Sequence, residues 1–338
     1  VISGREVNVG GNFHHFTVRP NKTVLLKLEM NQSTYEVDRS KNCTIESPIC
    51  DRLKNEPCWL GIDEAGRGPV LGPMVYGICF SPIADKQQLT DLKFADSKTL
   101  SEEQRESIFE KMNESLHMLG WIVEILSPAY ISSSMLQREK YNLNALSHDC
   151  AIRLINKALE REVNVTEVFV DTVGDPTKYQ NKLKEIFPTI DITVSKKADS
   201  LFPIVSAASI CAKVARDQAV KSWVFMEGIS LDDPDYGSGY PGDPKTKKFL
   251  EKSFDRIFGF PSFVRFSWST AALIMEKDGV PVHWCNLSLT FREDDEEEDA
   301  APQGTPVLSH FFKKKDSKAE LTRHRFFTQR QLNHVTDF

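Results

Sequence analysis

Between Cys58 and about Phe258, short apolar runs alternate with longer amphipathic stretches. Leu60-Gly61-Ile62 is an apolar run that ends on Asp63. Leu71 to Phe80 is a second strand-like run, expected to pair antiparallel with the first through the glycine-rich turn between them. Trp121 to Leu126 reads as a third strand, and Val168-Phe169-Val170 and Thr193-Val194 as two more, being rich in β-branched and aromatic residues. Helical spacing fills the gaps. Ser101 to Leu119 opens with Ser101-Glu102-Glu103-Gln104, a capping-box pattern. Asn142 to Glu160 sets Leu143, Leu146, Ile152, Ile155 and Leu159 at helical intervals, and another helix is expected from about Pro203 to Phe225. Strands paired antiparallel first, then alternating with helices, predict an α/β fold: a mixed β-sheet flanked by helices.

The flanks carry a different pattern. Residues 1–57 are polar, rich in Asn and Ser, and nearly without periodicity; they are expected to form a flexible N-terminal extension, with Met30 as the natural start and residues 1–29 lying upstream of it. The main domain is expected over residues 58–258 and a small helical C-terminal region over 259–290. An acidic linker (291–304) and a basic, aromatic tail (305–338) follow, both flexible.

Composition adjusts this picture only slightly. With 338 residues, 40% hydrophobic and 27% charged, the chain suits one large core with appendages. The net charge of −6 argues against a nucleic-acid partner at first sight, but Glu293 to Asp299 is an unbroken run of seven acids, and without it the remainder stands near +1. The body then needs only to concentrate positive charge around a site. The seven cysteines form no CxxC or His-spaced zinc pattern; Cys79 and Cys211 read as buried thiols, as in a reducing compartment. No run of eighteen apolar residues is present, so no transmembrane helix is expected, and Val24 to Leu28 is too short for a signal peptide. His148, in Leu146-Ser147-His148-Asp149, is expected to have a structural place on its helix rather than a ligand role.

The candidate chemistry lies at strand ends. In Ile62-Asp63-Glu64-Ala65-Gly66-Arg67-Gly68-Pro69 two carboxylates follow an apolar strand and precede a glycine-flanked arginine. Period two would send Asp63 and Glu64 to opposite faces; a turn at Ala65-Gly66 would let both reach one site. Asp171 ends another run, and Asp199 lies just past a third. Each alone reads equally well as a cap; together they fit carboxylates converging on one sheet edge. Such a cluster repels itself without cations, and all-oxygen ligands suit Mg²⁺ or Mn²⁺ rather than zinc. On the helix after Asp199, Val205, Ala208, Ala212, Ala215 and Ala219 make a stripe of small residues that would sit close to the sheet. Ser206, Ser209, Lys213 and Arg216 make a second stripe, either a solvated face or a phosphate track.

Together with Ala95-Asp96-Ser97-Lys98-Thr99-Leu100, Asp171-Thr172-Val173-Gly174, Lys197-Ala198-Asp199, Val205 to Asp217, Gly237-Ser238-Gly239-Tyr240-Pro241, Gly259-Phe260-Pro261 and Val264-Arg265-Phe266-Ser267-Trp268, these residues resemble the catalytic subunits of eukaryotic type 2 ribonucleases H. The resemblance covers about Cys58 to Glu276 and selects the ribonuclease H-like fold among those the pattern permits. It implies that Asp63, Glu64, Asp171 and Asp199 are catalytic and hold two metal ions, Mg²⁺ with Mn²⁺ as substitute. It implies that Gly66, Arg67 and Gly68 sense the ribose 2′-OH through their backbone, that Tyr240 contacts the same group and the next sugar, and that Lys98, Ser209, Lys213 and Arg216 touch substrate. The implied activity is cleavage of the RNA strand of RNA/DNA hybrids, and cleavage 5′ to single ribonucleotides in duplex DNA, in a nuclear heterotrimer with two non-catalytic subunits. Arg323-His324-Arg325-Phe326-Phe327 with Leu332, Val335 and Phe338 resembles the tail that packs on those subunits. Thr305 to Phe312 resembles a sliding-clamp-binding peptide with Thr305 where glutamine is usual. The rival readings are another two-metal nuclease of this fold, which would not need the glycine turn and Tyr240, and a non-catalytic hybrid-binding scaffold, which would not need four carboxylates.

Overall fold

The computed structural model describes residues 41–91, 100–138, 141–172, 174–228 and 236–281. Six strands form one sheet: β1 (Cys43–Glu46), β2 (Cys58–Ala65), β3 (Met74–Pro82), β4 (Gly120–Leu126), β5 (Val165–Asp171) and β6 (Asp191–Ser195), in the order β1-β4-β3-β2-β5-β6. The first three pairings are antiparallel and the last two parallel. The helices are α1 (Asp51–Asn55), α2 (Lys86–Asp91), α3 (Glu102–Glu114), α4 (Pro128–Met135), α5 (Leu143–Glu160), α6 (Pro176–Ile186), α7 (Ala198–Leu201), α8 (Pro203–Lys221), α9 (Pro244–Ser253) and α10 (Ser269–Asp278).

Both faces of the sheet are covered, which is why its strands read as near-continuous apolar runs. On one face Cys58, Leu60 and Ile62 of β2 pack with Tyr76, Ile78 and Phe80 of β3 against α5, whose buried stripe is Leu146, Cys150, Ala151, Leu154, Ile155 and Ala158. The stripe differs from the one read in the sequence. Leu159 is 37% exposed and lies outside the buried set, which includes the small residues Cys150, Ala151 and Ala158. On the other face α8 lies flat on the middle of the sheet through Val205, Ala208, Ala212, Ala215 and Ala219, all buried as the small-residue stripe predicts. Gly61 makes this approach possible: a Cβ there would stand 2.6 Å from the backbone nitrogen of Val205. Cys79 and Cys211 are fully buried on this side.

Most expected elements are present with shifted ends. The β3 strand begins at Met74, because Leu71 and Gly72 pair with the C-terminal segment instead; Leu71 bridges Val264, and the N–H of Gly72 donates to the Phe263 carbonyl at 2.8 Å. The α3 helix has the predicted capping box, Gln104 N–H to Ser101 Oγ at 3.2 Å and Ser101 N–H to Gln104 Oε1 at 2.8 Å, but ends at Glu114. The α8 helix ends at Lys221, where Trp223 and Phe225 turn into a third cluster with Val70, Leu71, Phe249, Leu250, Phe263 and Val264. The part of the N-terminal extension from Cys43 onward is not apart from the domain, as the polar pattern suggested. β1 is an edge strand on β4, and Leu53 of α1 is fully buried. A four-residue strand and a five-residue helix are too short to register as periodicity. The acidic linker, the tail and its two peptide motifs lie outside the described residues, as do residues 1–40.

Candidate active site

The three strands that run parallel, β2, β5 and β6, end side by side, and their C-terminal ends carry the acids. β2 continues through Ala65, so Asp63 and Glu64 do point to opposite faces as period two requires. Asp63 faces α8, where Ser209 hydrogen-bonds it and Lys213 neutralises part of its charge. Lys213 Nζ in turn donates to Ser209 Oγ at 2.5 Å. Glu64 faces α5, on the same side of the sheet as Tyr76, its partner across the β2–β3 ladder. Asp171, the last residue of β5, accepts the Ala198 N–H on Oδ1 at 2.8 Å, which ties it to α7 and to the next residue, Asp199. The turn into α7 passes through Lys197 in the left-handed region, φ 58°, an uncommon conformation for a side chain-bearing residue outside glycine, asparagine and aspartate.

Both faces nevertheless open on one cleft of about 740 Å³, because the strands stop there. Asp63, Glu64 and Asp171 line it, and so do Gly66, Arg67, Lys213, Arg216 and Tyr240 from the predicted set. Asp199 is buried beside them in α7 and does not line the cleft. Ser209 is fully buried, so it supports Asp63 and Lys213 rather than lying open as a phosphate contact. Lys98 lies outside the described residues. The pattern did not single out Arg105, Lys196, Lys197 and Asp217, which also line the cleft. Arg105 donates to Asp217 Oδ2 at 2.9 Å and to the Leu100 carbonyl at 2.8 Å. Nothing in the spacing of an α3 arginine connects it to acids that lie before it on β2 and far after it on β5 and α8.

The Gly66-Arg67-Gly68 turn is held from behind. Arg265, fully buried, donates from Nη2 to the Gly66 carbonyl (2.6 Å), from Nη1 to the Arg67 carbonyl (3.1 Å) and from Nε to the Gly72 carbonyl (2.8 Å). Burial and the neighbouring Arg216 lower its pKa to about 9, and the three carbonyls offset that loss of solvent. Trp268 lies under the Arg265 guanidinium, 4.9 Å from ring centroid to Cζ, and donates to the Gly68 carbonyl at 3.1 Å. With its carbonyls taken from behind, the turn's N–H groups are the backbone groups left to face a ligand. Gly66 has φ +77°, and the Arg216 side chain occupies the space a Cβ would need. The ring of Tyr240 packs on Gly68 so closely that a Cβ there would be 3.0 Å from Cε1. His148 has the structural place expected of it, stacked on Tyr179 with centroids 3.7 Å apart, and burial lowers its pKa to about 4.

Burial raises the pKa of both Asp63 and Glu64 above the ordinary carboxylate value; the Asp63 charge adds to the effect on Glu64, and Asp171 raises both. The folded state therefore holds protons that the unfolded chain releases above about pH 4. Stability without metal should fall as pH rises through that window. The Tm of EDTA-treated protein is expected to drop between about pH 5 and 8, and Mg²⁺ at the upper end should restore it. A Tm that climbs steadily over the same range would contradict this electrostatic picture. The donor set fits a hard divalent cation: every candidate ligand is a carboxylate oxygen. Among the described residues, no three of these side chains already close on a single point.

Comparison with known proteins decides the family. A family model described as ribonuclease HII matches residues 60–271. A ribonuclease H2 subunit of Bos taurus is 52% identical over 307 residues, spanning 91% of this chain and 99% of that one. The chain belongs to the ribonuclease HII family. The corresponding ribonuclease H2 subunit of Mus musculus is 53% identical over 303 residues, covering 90% of this chain and 98% of the relative. Among solved structures, ribonuclease H2 from Pyrococcus horikoshii OT3 superposes with a TM-score of 0.53 at 32% identity, over 65% of this chain and 98% of that one. The mixed sheet is thus the ribonuclease H-like fold, and the activity class follows: the chain is a ribonuclease H. Membership removes both rival readings, since the family is neither a resolvase nor a binding scaffold.

Proposed function

We propose that the chain is a metal-dependent endonuclease that cuts the RNA strand of RNA/DNA hybrids and cuts 5′ to single ribonucleotides embedded in duplex DNA, leaving 3′-hydroxyl and 5′-phosphate ends. Its work would be ribonucleotide and RNA primer removal during DNA replication and repair in the nucleus. One observation carries the reading: Gly66, Arg67 and Tyr240 line the same cleft as Asp63, Glu64 and Asp171, and Tyr240 packs on Gly68, just behind that lining. A site that merely hydrolysed phosphodiesters would need only the acids. The backbone of the turn can approach a sugar closely, and the 2′-OH is what separates RNA from DNA at a given position.

Asp63, Glu64, Asp171 and Asp199 would hold two Mg²⁺ ions, with Mn²⁺ as substitute. Once bound, the pair supplies an activated water and charge stabilisation for the leaving 3′-oxygen. The chain's own side chains do the rest. Lys196, Lys197, Lys213 and Arg216 bring positive charge to the cleft for the phosphates, the turn presents its N–H groups to the 2′-OH, and the half-exposed Tyr240 packs on the following sugar. Two non-catalytic subunits are the proposed partners, supported by the word "subunit" in the names of the relatives and by Ile257 and Phe258, which stand 66% and 88% exposed on the C-terminal region. A sliding clamp is a further partner through residues 305–312.

The test compares an RNA/DNA hybrid with a DNA duplex of the same sequence over a Mg²⁺ titration from zero, with the chain alone and with its partner subunits. Cleavage of the RNA strand only, and only with metal, is expected. Metal-independent cleavage, or a DNA duplex cut as fast as the hybrid, would refute the proposal. Tyr240→Ala should lower cleavage at a single embedded ribonucleotide by about tenfold or more while changing nonspecific duplex affinity little, since phosphate contacts carry most of that affinity. Equal losses in the two assays would count against its role at the sugar.

A further inference from the structure

Beside the cleft, on the α5 face of the sheet, lies a small pocket of about 20 Å³ whose lining includes Glu64, Arg67, Tyr76, Ser147 and Tyr179. Tyr76 is 5% exposed and stands directly across the ladder from Glu64, so both side chains leave the sheet on the same side. Its hydroxyl lies beside the Glu64 carboxylate, and Ser147 stands next to it on α5. Ser147, 4% exposed on α5, accepts from Arg67 Nη1, and its own hydroxyl reaches the Leu143 carbonyl at 2.8 Å. Arg67 Nη2 donates to Asn144 Oδ1 one turn earlier on the same helix. The Arg67 side chain, although it belongs to the turn, is therefore spent on α5. Polar groups therefore follow one another from Glu64 through the buried Tyr76 and Ser147 to Arg67, with the Arg67–Ser147 hydrogen bond at the far end.

Packing does not explain this chain. A phenylalanine at position 76 would fill the same space, and a buried hydroxyl is costly unless partnered. The partners here are a carboxylate at the reacting end of the cleft and the helix that anchors the sugar-reading turn. We infer that Tyr76 and Ser147 are positioning residues that hold Glu64 in register with the Gly66-Arg67-Gly68 turn, so that the groups reading the ribose and those acting on its phosphodiester move as one body. The inference rests on the proposed function, in which Glu64 serves the metal site and the turn reads the 2′-OH. It adds two residues, from β3 and α5, that neither contact substrate nor hold metal but set the distance between two parts that do.

The experiment uses the full chain, with partner subunits where activity needs them, on a DNA duplex with one ribonucleotide at saturating Mg²⁺. Tyr76→Phe removes only a hydroxyl, and so does Ser147→Ala. Each is expected to lower kcat by about tenfold or more, the usual loss when a supporting hydrogen bond to a metal-site ligand is removed. KM should stay within about twofold, because no substrate contact is lost. The double variant should be little worse than the weaker single one, because either change breaks the same chain. A merely structural role would lower Tm, leave kcat alone and give additive effects. Tyr76→Phe with wild-type kcat, additive losses in the double variant, or loss of cooperative unfolding in both single variants would each overturn the inference. A wild-type protein that fails to cut this substrate would instead bring down the proposed function, which keeps the two failures apart.

Discussion

Asp171→Asn is expected to abolish cleavage, with a loss of more than about a hundredfold, while leaving the fold intact. The carboxylate sits at the end of β5 with Oδ1 held by the Ala198 N–H. An asparagine oxygen can accept the same bond, so the side chain keeps its place and loses only its charge. That charge is one of four acids on the cleft, and it raises the pKa of both Asp63 and Glu64. Removing it relieves repulsion in the metal-free protein, so Tm in EDTA should be unchanged or slightly higher even as activity disappears. Thermal melts and single-turnover cleavage on the same preparation check both halves. Activity within tenfold of wild type would refute the site assignment, and a lower Tm would show Asp171 to be structural.

The second large effect is expected at Gly66. Its φ of +77° costs any other residue roughly 1–2 kcal/mol on backbone grounds alone. The space cost adds to this: a Cβ would collide with Arg216 and stand 2.8 Å from the Pro73 carbonyl. Arg216 would have to leave the cleft wall, or the turn would have to shift against the Arg265 clamp that holds its carbonyls. Either movement reaches the site. Gly66→Ala should lower kcat/KM on an embedded ribonucleotide by about tenfold or more with a modest fall in Tm. Gly242→Ala is the control, since nothing lies within 4 Å of a Cβ there. Equal behaviour of the two variants would mean that the turn is not under the constraint described.

Much of this architecture was legible in the sequence for a physical reason. β2, β3, β4 and β5 are apolar on both faces and announce themselves as runs, and α5 and α8 are long enough for helical spacing to show. The acids were visible because each sits where an apolar run stops, and strand ends gather at one edge of a sheet. Legibility failed where position depends on a partner far away in the chain. β1 is four residues long and gains its meaning only from pairing with β4. Ser209 sits on a polar stripe that faced either solvent or substrate from the sequence alone; only the placement of Asp63 over α8 shows that it faces inward. Arg265 belonged to a motif of the resemblance, but no spacing could show that its guanidinium reaches back across some 200 positions to three carbonyls of the 66–72 loop. The contacts among Glu64, Tyr76, Ser147 and Arg67 join β2, β3, α5 and the turn; Glu64 and Arg67 share one motif, but nothing in the spacing connects them to Tyr76 or Ser147.

The central claim is that one cleft joins recognition of a ribose to hydrolysis of its phosphodiester. A DNA duplex with a single embedded ribonucleotide, end-labelled on the ribonucleotide-containing strand, tests it most directly. With Mg²⁺ the account predicts one cut, 5′ to the ribonucleotide, with a 3′-hydroxyl on one product and a 5′-phosphate on the other, and no cut in EDTA or in the all-deoxy duplex. A cut elsewhere, or equal cleavage of the all-deoxy duplex, would contradict it.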